Sequence, residues 1–217
     1  GTFKGKPTMN IRVGFYADGA YRSIITAARE GEFEFFGSAS HPTVLEITDY
    51  DYRPLGRLYV SNGETFEIAL NSSDPYDIEA SGNDISSRWA TFLRTNADKM
   101  KKDPSGTIAS YIESHPSDLL STLLLITTFD SAADPVMADS LMSMIDPQVR
   151  PSALTEGYNY MLERLVSNAA LGNVIPVKYL DRRDSLRSFN PASQDYSLIV
   201  LSTQDSPRRD SIVPALK

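Results

Sequence analysis

The chain contains no cysteine, so neither disulfides nor thiol–disulfide exchange are open to it. Two histidines, His41 and His115, are the next candidates for chemistry. A metal centre needs converging His, Cys, Asp or Glu ligands, and these two have no ligand spacing to each other. His115 precedes Pro116, the context of a helix end, where capping or interaction with the helix dipole is the commoner role. Asp49 and Asp51, in D-Y-D-Y, could bind calcium from a loop. They lack the glycine and distal glutamate of a dedicated calcium loop, so they read as a polar hairpin edge. Ser202 and Ser206 stand near Asp205, yet there is no G-x-S-x-G and no histidine nearby to act as base. Neither G-x-x-x-x-G-K-[ST] nor G-x-G-x-x-G occurs, and none of the 28 acidic residues sits in a distinctive catalytic context. The rings of Tyr16, Tyr21, Tyr50 and Tyr52 could line a sugar or peptide groove, although their alternation suits ordinary sheet faces. Trp89 reads as core. No catalytic residue, metal site or cofactor is therefore expected.

The elements that must position these residues are those of a folded protein. Of 217 residues, 41% are apolar and 23% charged, which supports real cores and argues against wholesale disorder. A net charge of -7 argues against a nucleic-acid partner, which requires clustered cations to displace phosphate counterions. The basic patches at Lys99 to Lys102, Arg182-Arg183 and Arg208-Arg209 are short and accompanied by Asp. No run reaches the roughly 20 apolar residues of a membrane helix. Gly1 followed by a strand-like segment is compatible with a targeting segment removed ahead of it.

Residues 1–81 read as β-structure. Asn10 to Ala17 alternates Ile11, Val13 and Phe15 against Arg12, Gly14 and Tyr16, and Asp18-Gly19 is a hairpin dipeptide leading into Tyr21 to Ala28. Further strands are predicted at Glu32 to Gly37, Thr43 to Thr48, Arg57 to Ser61 and Thr65 to Leu70, with Asn62-Gly63 as a turn. This pattern predicts an antiparallel sandwich or barrel. From Ser81-Gly82 the period becomes helical. Ile85 to Asn96 follows a cap at Asn83 or Asp84, Pro104 to Ser114 comes next, and Ser117 caps Asp118 to Phe129. Val136 to Ile145 opens at Asp134-Pro135, and Ser152 to Ala169 carries a stripe of Leu154, Tyr158, Met161, Leu162, Leu165 and Val166. Five helices with short loops predict a compact bundle over 82–172. In residues 173–217, Val177 to Leu180 and Leu186 to Phe189 flank a turn, Tyr196 to Ser202 reads as a doubly buried strand, and Arg209 to Lys217 starts a helix.

This organisation resembles a family of bacterial cell-envelope thioredoxin-like proteins, in which a β-rich domain of unknown function precedes a helical segment and the redox domain. G-E-F-E-F-F-G at Gly31 to Gly37, G-R-L-Y-V-S-N-G-E-T-F-E-I at Gly56 to Ile68 and G-N-D-I-S-S-R-W-A-T-F at Gly82 to Phe92 carry the likeness, with Y-I-E-S-H-P at Tyr111 to Pro116. The resemblance implies that residues 173–217 open a thioredoxin-like unit, whose central strand delivers W-C-x-x-C-R onto a helix N-terminus. The matching stretch is L-S-T-Q-D-S-P-R-R-D-S-I-V-P, which puts Asp205 and Arg208 at the two cysteine places with Ser206-Pro207 between them. These four are degenerate redox positions. The expected fold is α+β: an N-terminal antiparallel β-sandwich or barrel, a middle helical bundle and a partial thioredoxin-like α/β segment. The expected function is a non-redox envelope binding or scaffold protein, periplasmic or on the outer envelope, taking a protein, peptide or small-ligand partner. Any membrane attachment would run through a removed N-terminal lipid anchor. The alternative is the front portion of a longer thiol–disulfide oxidoreductase-like protein. An exposed strand edge in the β-rich part is the expected peptide site, by strand addition.

Overall fold

Alternation along Met9–Ala17 (β2) turns Ile11, Val13 and Phe15 inward, and all three are buried. In the computed structural model, which describes residues 1–5, 8–17, 20–171, 177–180 and 186–189, β2 is a central strand. A short strand precedes it, Thr2–Lys4 (β1), and Ala20–Ala28 (β3) pairs with it antiparallel along its whole length. Thr43–Asp49 (β4) pairs with its other edge, and Pro54–Val60 (β5) pairs with β4. The resulting antiparallel sheet has the order β3-β2-β4-β5. Glu67–Asn71 (β6) and Glu79–Ser81 (β7) join β1 in a second sheet, order β1-β6-β7, in which β1 runs parallel to β6. The protein is therefore mixed α+β, with a β-rich part that is not purely antiparallel.

One sequence expectation gives way here. Glu32 to Gly37 is not a strand: only Glu32 bridges, to Thr2 and Arg29, and the following residues run without a ladder. Phe33 exchanges backbone hydrogen bonds with Gly1 beside β1, and beyond it the chain leaves the ladder, with Phe33 and Phe35 stacked at 6.4 Å and Phe35 packed on Phe66. Asn62-Gly63 is the turn expected there, with the Glu64 N–H bonded to the Ser61 carbonyl at 3.3 Å. It carries the chain from β5 in one sheet to β6 in the other, with the Asn62 side chain hydrogen-bonded to the Ala39 backbone.

Among the described residues six α-helices follow: Asp84–Thr95 (α1), Ala97–Lys102 (α2), Pro104–Ser114 (α3), Leu119–Thr127 (α4), Pro135–Met144 (α5) and Ser152–Leu171 (α6). The short α2 was not anticipated; Asn96 both ends α1 and begins α2. Asn83 caps α1 by accepting from the Ser86 N–H at 2.8 Å, and Asp134 caps α5. Asp118, not Ser117, caps α4, accepting from the Leu120 N–H at 3.0 Å, while Ser117 turns toward Asp146. Trp89 is 1% exposed in a single core that strands and helices share, and α1 packs on β5 and β7. Met161 departs from the expected stripe of α6 and is exposed.

The chain divides into two compact units, Gly1–Ala169 and Ala170–Lys217. In the second, Val177–Leu180 (β8) and Leu186–Phe189 (β9) form an antiparallel hairpin at the positions expected of them. The turn at Asp18-Gly19, the strand at Tyr196 to Ser202, the helix at Arg209 to Lys217 and the degenerate redox positions Asp205, Ser206, Pro207 and Arg208 lie outside the described residues.

Candidate functional site

Register decides which side chains share the outer face of the four-stranded sheet. Tyr16 pairs with Tyr21, Gly14 with Ser23 and Arg12 with Ile25, so these six lie on one face. The Tyr21 ring lies across Gly14, where any side chain would collide with it, and meets Tyr16 edge-on at 5.4 Å. Burial raises the Tyr21 hydroxyl pKa, and the neighbouring Glu46 carboxylate raises it further, against the opposing effect of Arg12. Glu46 is held by Arg57 at 3.4 Å, and the Arg12 guanidinium sits 4.5 Å from the centre of the Tyr52 ring.

This face borders a cleft of about 880 Å³, closed on its far side by α4 and α6. Tyr16, Tyr21, His41, Glu46, Leu154 and Met161 line it. Tyr158, whose hydroxyl is 2.6 Å from the Ser131 hydroxyl, forms part of the wall, and burial raises its pKa. The volume and the apolar, aromatic walls with a few polar groups suit a small ligand or part of a peptide.

The two edges of the sheet differ. On β5 the edge is met at Tyr59: its N–H donates to Ser86 Oγ at 3.0 Å, and Ser86 Oγ and Asn83 Nδ2 donate back to its carbonyl at 2.8 and 2.9 Å. On β3, among the described residues, no backbone hydrogen bond joins Ala20–Ala28 to any segment but β2. Near its end the Thr26 hydroxyl donates to the Glu34 carbonyl at 2.8 Å, which leaves Ala20 to Ile25 as the open stretch. Only two residues separate the paired Ala17 and Ala20, so that pair must be hydrogen-bonded to each other. Alternation then directs the N–H and C=O of Tyr21, Ser23 and Ile25 to the open edge. Exposed apolar groups flank it on both faces: Tyr21 and Ile25 outside, and Phe36, 80% exposed, beside Gly37 where it packs on Ile24.

No protein-family model, curated protein or solved structure matches this chain.

The other candidates take structural places. Asp49 accepts from the Arg53 N–H at 2.8 Å in the turn between β4 and β5, with Tyr50 and Tyr52 exposed on the same turn. His115 ends α3, its ring stacked on Tyr111 at 4.4 Å, while His41 lies in the cleft wall. No group of three or more potential metal ligands occurs among the described residues, and no helix there is long and apolar enough to cross a membrane. Tyr16 and Tyr21 share a sheet face, the place their alternation suited, and also border the cleft, whereas Ser23, Ile25 and Phe36 were not singled out in the sequence. The adjacent Ile24-Ile25, apolar at both parities of a strand with neither lysine nor proline, was the available signal for an edge with two apolar faces.

Proposed function

We propose that this chain is a non-enzymatic binding or scaffold protein of the bacterial cell envelope that takes up an extended segment of a protein partner by strand addition to β3. One observation carries the reading: among the described residues β3 is hydrogen-bonded through its backbone to β2 alone, while on the opposite edge of the same sheet Tyr59 is bonded by Ser86 and Asn83. An added strand would satisfy the outward N–H and C=O groups of Tyr21, Ser23 and Ile25 and cover exposed rings, with the cleft beside Tyr16 and Tyr21 available to a side chain at its end. In this reading the β-rich part supplies the binding edge, the helical part meets the other edge at Tyr59, and the β8–β9 hairpin begins a partial thioredoxin-like unit that lacks its thiols. The envelope location rests on the resemblance alone.

The test is selection of nine-residue peptides displayed on phage, with binding of the selected peptides measured by calorimetry. Selected peptides should protect the amides of Tyr21, Ser23 and Ile25 from hydrogen exchange and lose binding to Ser23→Pro. That variant removes an outward donor and leaves the bonds to β2 in place. Binding that protects other amides, or that survives the proline, would sink the reading.

A further inference from the structure

We propose that the cleft of about 880 Å³ between the four-stranded sheet and α4 and α6 binds a small organic cation, an ammonium group carried on an apolar ring system; this rests on the binding reading of the cleft and not on strand addition. Charge selects the sign. Glu46 carries the one permanent charge among the described residues that line the cleft, and neither lysine nor arginine joins it there. Arg57 meets that carboxylate through Nε at 3.4 Å, longer than the roughly 2.7–2.9 Å of a full charge-assisted bond, and stands outside the lining. The net charge of -7 on the whole chain also draws cations toward it. The walls suit the same group. Tyr16 and Tyr21 line the cleft with rings set 69° apart, 68% and 51% exposed, so ring surface is open to an arriving cation. The same sheet already makes this contact once, in the Arg12 guanidinium held 4.5 Å from the centre of the Tyr52 ring. Leu154 and Met161 give an apolar body its cover. Gly157 supplies the room. It lies inside α6, where glycine weakens a helix, and its φ is not left-handed. A Cβ there would meet nothing within 4 Å, so no packing among the described residues requires glycine either. The missing side chain leaves open backbone on the helical wall of the cleft, against which a flat ring can lie.

The probe is tryptamine, titrated into the full-length protein by calorimetry beside tryptophol, its uncharged hydroxyl counterpart, and indole-3-acetate, an anionic one. Tryptamine should bind at least about fivefold more tightly than tryptophol, with indole-3-acetate the weakest of the three. Glu46→Gln keeps the shape of the side chain and removes its charge, so tryptamine should weaken about fivefold while tryptophol stays as it was. Gly157→Leu fills the room from the helical wall with a better helix former. It should hold or raise the thermal midpoint while tryptamine and tryptophol both weaken at least about tenfold. A folded Gly157→Leu protein that binds tryptamine unchanged would overturn the site, and tryptophol binding as tightly as tryptamine would overturn the cationic class. Absence of saturation by tryptamine at millimolar concentration overturns both. If selected peptides fail at β3 while tryptamine binds as expected, strand addition falls and the cleft site stands; if the peptides bind and tryptamine does not, the cleft site falls alone.

Discussion

Ser86 is fully buried and exchanges two hydrogen bonds with the backbone of Tyr59. Ser86→Ala would leave the Tyr59 N–H inside the protein without its partner, while the carbonyl would keep Asn83. The expected cost is about 1–3 kcal/mol, read by urea denaturation. A second residue-scale prediction concerns Asp118. Burial alone would raise its pKa, but the paired contacts of Arg88 at 2.8 Å, the Leu120 N–H and the Tyr111 hydroxyl outweigh burial and hold it below the ordinary carboxylate value. The unfolded chain therefore holds this proton more tightly than the folded one. The stability it contributes is present above about pH 4 and is lost as the pH falls through the depressed value. The stability difference between wild type and Asp118→Asn should shrink progressively on acidification below that point; a difference independent of pH would contradict it. The Tyr111 hydroxyl in the same network is pushed up to about 12, first by burial and then by its bond to Asp118.

At the scale of elements, the passage from β7 to α1 turns on Gly82. Its φ is +110°, a region L side chains rarely adopt, and a Cβ there would collide with the Thr65 carbonyl and the Phe66 backbone. Both objections act at once on Gly82→Ala, so a loss of more than about 2 kcal/mol is expected, measured as a fall in thermal midpoint. The same junction places Asn83 and Ser86 against β5, so a shift there would also disturb the bonds they make to Tyr59. At both α1 and α4 two adjacent residues suit the cap, and only the structure chooses between them: Asn83 over Asp84 at α1, and Asp118, which also meets Arg88 of α1, over the expected Ser117 at α4.

For the unit Gly1–Ala169 as a whole, strands and helices bury side chains in one core. A chain cut after Ser81 would lose Trp89, Phe92 and Leu93 from α1, the helix that packs on β5 and β7. Residues 1–81 alone should therefore show no cooperative thermal transition. Residues 1–169 should unfold in one step, with Trp89 fluorescence and far-ultraviolet circular dichroism coinciding. An independently folding 1–81 fragment would show that the strands need no cover from the helices.

What the sequence determined by itself was local or compositional. Absence of cysteine excludes dithiol chemistry whatever the fold, and period-two alternation placed β2 because that pattern is carried within the strand's own residues, with the Asp18-Gly19 dipeptide signalling the return along β3. The tertiary structure alone decided neighbours. Phe33 and Phe35 alternate like a strand, but pairing stops at Phe33, which bonds Gly1, since alternation reports which faces are buried and not how far a ladder partner extends. That β3, among the described residues, bonds to β2 alone while Tyr59 of β5 is met by Ser86 depends on strand order and on Ser86 arriving from 27 residues further along the chain, contacts that no local pattern encodes.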